Sequence, residues 1–265
     1  MQALKIYENI GDKRGIAGLY INIGLVCSKI GDREKALEYY SKAMRTLKEV
    51  NDKRSLAILY NNIGSIYNDS KEHKTALEYF RKALEIKKKI GEKFRIAHTL
   101  TNIGTVYMDT ENYEKSLEYF FQSLNIQEEI RDEYASVETL RNIGYSYAST
   151  DRIAEAVKYI QQGLSIAKAL KVPDLIMSCY ESFSAIYKKK KDFKKAFEYY
   201  KQFKKLDDEI FTKESSRKFN ELQISYETEK KEKESEIYRL RNIELVKTNE
   251  NLTKALAEIK TLFFM

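Results

Sequence analysis

Apolar residues recur along this chain at offsets of three and four, pause, and recur again, and the whole pattern returns every 40 residues. One column reads Tyr20, Tyr60, Leu100, Leu140, Tyr180, and the next Ile23, Ile63, Ile103, Ile143, Phe183. Directly after it come Gly24, Gly64, Gly104, Gly144 and Ser184, then Cys27, Tyr67, Tyr107, Tyr147 and Tyr187. A second block holds Ala36, Ala76, Ser116, Ala156, Ala196, followed by Tyr40, Phe80, Phe120, Ile160, Tyr200, and by Ala43, Ala83, Ser123, Gly163. Such offsets set side chains on one helical face. Each unit therefore predicts two amphipathic helices, A over roughly 14–29 and B over roughly 33–50 in the first full unit.

Short polar pairs separate the blocks. Gly31-Asp32, Lys71-Glu72, Glu111-Asn112, Asp151-Arg152 and Lys191-Asp192 turn A into B, and Gly11-Asp12, Asn51-Asp52, Gly91-Glu92 and Arg131-Asp132 turn B into the next A. Pro173 opens the last helix A, where its missing N–H is no loss. It is the single proline, and ten glycines complete a breaker-poor composition that favours helix throughout. A period kept without insertion implies one helical hairpin copied along the chain and stacked on its neighbours. The expected fold is all-α: a right-handed solenoid of antiparallel helix pairs followed by a long C-terminal coiled-coil helix. Glycines on A facing alanines on B would let the two axes approach, and the Tyr, Phe and Ile columns would fill the space between units.

The run Tyr60-x-x-Ile63-Gly64-x-x-Tyr67, with Ala76, Phe80 and Ala83 after it, resembles the tetratricopeptide repeat. Here the unit is 40 residues rather than ~34, with Tyr or Leu in place of the leading Trp. It is similar to the longer-helix subclass of peptide-binding scaffolds such as kinesin light chains and bacterial signalling sensors. On this reading residues 1–11 are the end of a preceding repeat, since Ala3-Leu4 aligns with Ala43-Met44, residues 12–211 are five units, and 212–265 is a helical coiled-coil segment. The chain thus begins within a repeat, as the truncated end of a longer array would.

In 212–262 there is neither proline nor glycine, and interleaved Glu and Lys predict one or two long helices. Leu245, Leu252 and Ile259 lie seven apart, with Leu256 and Phe263 on the same course, while Ile237, Leu240 and Ile243 follow another phase. A parallel dimeric coiled coil with a stutter, or a single solvated helix, fits this pattern. The stretch Tyr226–Glu234 is similar to the linkers that join such repeat sensors to an output module, and the chain stops at Thr261-Leu262-Phe263-Phe264-Met265, where a module would start.

The net charge of +7 is modest beside 47 basic and 40 acidic side chains. No element carries a basic stripe with aromatics between, so a solvated salt-rich surface is favoured over a nucleic-acid partner. Lysines 188–191, with Lys194 and Lys195, make the fifth unit basic, for solvent or for an acidic partner. Two distant cysteines, Cys27 and Cys179, give neither a disulfide framework nor a metal spacing and suit a reducing, cytoplasmic setting. No apolar run spans a bilayer, and no phosphate loop, nucleophile motif or carboxylate pair suggests an enzyme or a cofactor. His73 and His98 have no ligand cluster beside them.

What remains is recognition. Asn22, Asn62, Asn102 and Asn142 each stand one residue before the core Ile, about 100° round the helix from it. Their amides offer donor and acceptor together, which suits a peptide backbone. The resemblance implies that A helices line the concave face and that such an Asn holds an extended peptide. The alternative is that each Asn ties neighbouring A helices together. Asn61, Thr101 and Arg141 share that face, Arg141 as an anchor for a carboxylate or as an ordinary salt-bridging cation. The sequence thus leads to a non-catalytic protein- or peptide-binding scaffold in bacterial intracellular signalling, with homodimerisation through its C-terminal helix. Two other readings are the sensor half of a signalling enzyme and a regulator that binds a transcription factor.

Overall fold

The computed structural model describes the backbone of residues 2–263 and the side chains of 4–7, 9–210, 212 and 231–248. Among the described residues every element is a helix. These are α1 (Gln2–Asn9), α2 (Lys13–Lys29), α3 (Arg33–Glu49), α4 (Lys53–Asp69), α5 (His73–Ile90), α6 (Lys93–Asp109), α7 (Tyr113–Glu129), α8 (Glu133–Ser149), α9 (Ile153–Leu170), α10 (Pro173–Lys189) and α11 (Phe193–Phe263). The chain divides into two compact units, Met1–Lys204 and Lys205–Met265. In the first, α2 through α9 form four complete A–B pairs, and α10 with the start of α11 is the fifth.

The joints repeat twice as often as the sequence motif. Gly11, Gly31, Asn51, Lys71, Gly91, Glu111, Arg131, Asp151, Lys171 and Lys191 all have positive φ, between 52° and 83°. One left-handed residue therefore ends a helix every 20 residues, and the residue after it starts the next. Where that residue is Asp or Asn, its carboxylate or amide oxygen accepts the backbone N–H three positions on, as Asp12 does from Gly15 at 3.0 Å and Asp52 from Ser55 at 3.0 Å. Glu72 and Glu92 make no such bond but receive Arg33 and Arg54 from the preceding helices.

The glycine column owes its identity to the ring column. A Cβ on Gly64 would lie 2.8 Å from the Phe80 ring, and one on Gly104 would lie 2.6 Å from that of Phe120. Gly144 stands in the same relation to Ile160. This corrects the expectation that the glycines face alanines and that the rings lie only between units. The large residue folds back onto the glycine of its own helix pair, and an alanine carbonyl (Ala36 O, Ala156 O) is the secondary contact. Tyr40, Phe80, Phe120 and Ile160 are fully buried as a result.

A second aromatic column was missed in the sequence. Tyr79 stacks on Tyr67 with centroids 5.6 Å apart, Tyr119 on Tyr107 at 5.4 Å, Tyr159 on Tyr147 at 5.5 Å and Tyr199 on Tyr187 at 5.6 Å. A cation covers a ring of each pair, for example Arg152 over Tyr147 at 4.4 Å and Lys195 over Tyr187 at 5.2 Å.

Curvature follows from which helices meet. The backbones of successive A helices (α2 and α4, α4 and α6, α6 and α8, α8 and α10) approach closely, whereas those of α3, α5, α7 and α9 stay apart and α7 meets α9 only through the long side chains of Phe121 and Tyr159. The A layer is the inner, concave one. In the second unit α11 continues without a break, and Ile237, Leu240, Ile243, Leu245 and Val246 are all more than half exposed. Side chains of Leu252, Leu256, Ile259 and Phe263, and of the Tyr226–Glu229 stretch, lie outside the described residues.

Candidate functional site

On the concave side a hollow of about 690 Å³ runs across four A-layer positions. Its walls come from the end of α4 (Asn68), the end of α6 (Asp109), the middle of α8 (Arg141, Asn142, Tyr145) and α10 (Ser182). Asn68 Nδ2 donates to Asp109 Oδ2 at 2.9 Å, and its Oδ1 lies 3.0 Å from His73 Nδ1. A smaller hollow of about 380 Å³ adjoins it between α8 and α10 and shares Arg141, Tyr145 and Ser182.

The asparagine column does not behave as one set. Asn142 lines the large hollow. Asn22, on the first A helix, is exposed. Asn62 is half-buried beside the Tyr40 phenol, whose pKa burial pushes up while the Asn62 amide draws it back. Asn102 turns to the scaffold, donating from Nδ2 to Asn61 Oδ1 at 3.4 Å and so tying α6 to α4.

Asn61 belongs to a buried polar knot. It is only 6% exposed, and its Oδ1 also accepts from Thr99 Oγ1 at 3.1 Å and from Lys87 Nζ at 3.4 Å. Lys87 donates to Thr99 Oγ1 at 2.6 Å and is 3% exposed, and burial lowers its pKa to about 8, with Arg95 nearby adding to the effect. His98, on the exposed side of α6, is held below the usual imidazole value by local desolvation and by the neighbouring charges of Lys87 and Arg95. Thr101 is likewise spent inside its own hairpin, 2.8 Å from Ser123 Oγ. Arg141 donates from Nε to Ser182 Oγ at 3.1 Å across α8 and α10 and faces both hollows. Of the residues singled out from sequence, Arg141 and Asn142 thus share the hollow, Asn61, Asn62, Asn102 and Thr101 bond within the solenoid, and Asn22 stands apart.

Cys179 is fully buried, and burial pushes its thiol up to about 11, which removes thiolate reactivity at neutral pH. Among the described residues no helix is long and apolar enough to cross a membrane.

Helix pairs joined by a fixed turn and stacked in register, with a polar hollow on their inner side, define a superhelical repeat scaffold. Tetratricopeptide repeat models match residues 15–89, 55–129, 95–169 and 178–210, and the chain belongs to the tetratricopeptide repeat family. Among solved structures it is similar to BtubC (BKLC) from P. vanneervenii, with 20% identity and a TM-score of 0.69 over 79% of this chain and 87% of that one. Similarity extends to the apo form of RapI, at 22% identity and a TM-score of 0.66 over 77% of this chain and 74% of that one. A Rap protein complexed with competence and sporulation factor gives 21% identity and a TM-score of 0.63 over 73% and 54% of the two chains. At these identities the likeness is one of fold. No curated protein matches the chain.

Proposed function

We propose that this chain is a non-catalytic scaffold of bacterial intracellular signalling that holds an extended protein segment in its concave trough. The observation that carries the reading is the hollow itself, which draws walls from α4, α6, α8 and α10 and contains both Arg141 and Asn142. Polar, open and elongated, it offers amides, carboxylates and a guanidinium to a peptide backbone, and it lacks the enclosure a small-molecule site needs. The likeness to a Rap protein complexed with competence and sporulation factor supports a polypeptide ligand. Changing Asn142 and the exposed Tyr145 together to alanine should remove partner proteins recovered on the immobilised chain from native lysate, with little change in melting. Asn61→Ala should instead lower the melting temperature, because its oxygen serves three donors of the scaffold. Recovery of the same partners by the double variant would end the reading.

A second reading concerns the second unit. Ile237, Leu240 and Ile243 stand exposed along one side of α11, and pairing with the same helix of another copy would cover them. Binding in the trough would then alter that pairing, which is how such a scaffold would pass on a signal. Deleting 212–265 should convert a dimer into a monomer by light scattering, and the same number of subunits before and after the deletion would remove the dimer.

A further inference from the structure

The small hollow between α8 and α10 differs from the trough that leads into it. Its floor is apolar, made by Ala148, Ile160, Ala185 and Ile186. Side chains shrink here relative to the seam before it. Where the third unit has Met108 and Phe120, the fourth has Ala148 and Ile160, and where the fourth has Tyr145, the fifth has Ala185. Two cations stand at the rim. Arg141 reaches Ser182 through Nε alone, which leaves both Nη groups with protons to donate. Lys189 gives one proton to Ala148 O and keeps two.

These cations contrast with others along the array. Lys13 pairs with Glu49, Arg33 with Glu72, Arg54 with Glu92, Lys93 with Glu129 and Arg152 with Glu155. Neither Arg141 nor Lys189 pairs with a carboxylate among the described residues. Glu181 also lines the rim but forms no ion pair with either, so the rim carries two positive charges against one negative.

We infer that this hollow is a specificity pocket for an aliphatic side chain flanked, two residues away, by an acidic one. The inference rests on the peptide-binding reading and sharpens it. An extended chain points residues i and i+2 to the same side. One can then enter the apolar floor while the other meets Arg141 and Lys189 in charge-assisted hydrogen bonds. Since the hollow shares Arg141, Tyr145 and Ser182 with the longer trough, the bound chain continues through it. The carboxylate is therefore a side chain, Asp or Glu, rather than the end of a peptide.

A random dodecapeptide phage library selected on the immobilised full chain tests this. The wild type should enrich an aliphatic residue with Asp or Glu two positions away. Ala185→Phe, which fills the hollow from an exposed position, should erase the aliphatic preference and leave the acidic one. R141Q combined with K189Q should erase the acidic preference and leave the aliphatic one. A synthetic peptide of the leading clone should bind each variant about tenfold more weakly. Selected peptides without such a pair, or preferences unmoved in both variants, would overturn the pocket. If those peptides were nonetheless lost on changing Asn142 to alanine, the trough would stand and only the pocket would fall. A library that yields no binder would sink both.

Discussion

The first two units bury the same position in opposite ways. Leu47, near the end of α3, is 1% exposed and packs with Ile21 and Leu59. Forty residues on, Lys87 is 3% exposed, and the positions of Ile21 and Leu59 are taken by Asn61 and Thr99. The backbone seam is equivalent, yet one is filled with hydrocarbon and the other with an amine, a hydroxyl and an amide. Burying an ammonium is costly, and here it is offset by the neutral oxygens bonded to it and, more weakly, by the nearby Glu92 carboxylate. In this unit the polar filling is viable because Lys87, Thr99 and Asn61 partner one another, whereas forty residues on the equivalent buried Gln127 and Thr139 leave Oε1 and Oγ1 without a partner among the described residues.

Putting the charge where no partners wait should break the comparison most. Leu47→Lys would set an ammonium against Ile21 and Leu59 and should cost about 3–5 kcal/mol, read as a lower urea midpoint. The reverse change sharpens it. Lys87→Leu removes the desolvated cation, leaves Asn61 bonded to Thr99 and Asn102, and should stabilise the protein by about 1–3 kcal/mol at pH 7. The pH dependence has a definite sign. Because Lys87 in the folded chain releases its proton near 8, below the ordinary value of 10.5, the folded state holds fewer protons than the unfolded one between those limits. Stability contributed by Lys87 therefore rises with pH through that window and is flat below it. The advantage of Lys87→Leu should accordingly shrink from pH 7 to pH 10 in paired thermal melts. An advantage that grew with pH would mean the lysine is not held in a desolvated site.

The smallest effect lies in the joints. Gly31 ends α2 with φ of 83°, whereas Lys71 ends α4 with φ of 61°. A left-handed lysine is strained by its Cβ, so Lys71→Gly should raise stability by about 0.5–1 kcal/mol, and Gly31→Lys should lower it by a similar amount.

Period, helix pairs and joints were legible because each depends on short-range spacing that 40-residue rows display directly. The Gly64–Phe80 relation was only half legible, since the rows align equivalent positions but do not say which columns meet. For the same reason the Tyr67–Tyr79 stack, with partners twelve apart on different helices, went unnoticed. The continuous run of α11 from Phe193 was hidden by the loss of columns after Phe211, a change of environment rather than of helix. Least legible was the site. A position about 100° from the core predicts an outward-facing asparagine, and Asn142 lines the trough, but Asn102 meets Asn61 because the neighbouring A helix lies within reach of a side-chain amide. The small hollow could have been suspected from the shrinkage at Ala148, Ile160 and Ala185.

Because the same left-handed residue recurs every 20 positions whatever its chemistry, the array behaves like a ruler with equal divisions. Cutting at one joint and rejoining at the equivalent joint of another unit restores an identical bend, so the trough can lengthen or shorten by whole units without disturbing what lies on either side. The small hollow then travels with its own seam, an address that can be moved along the ruler.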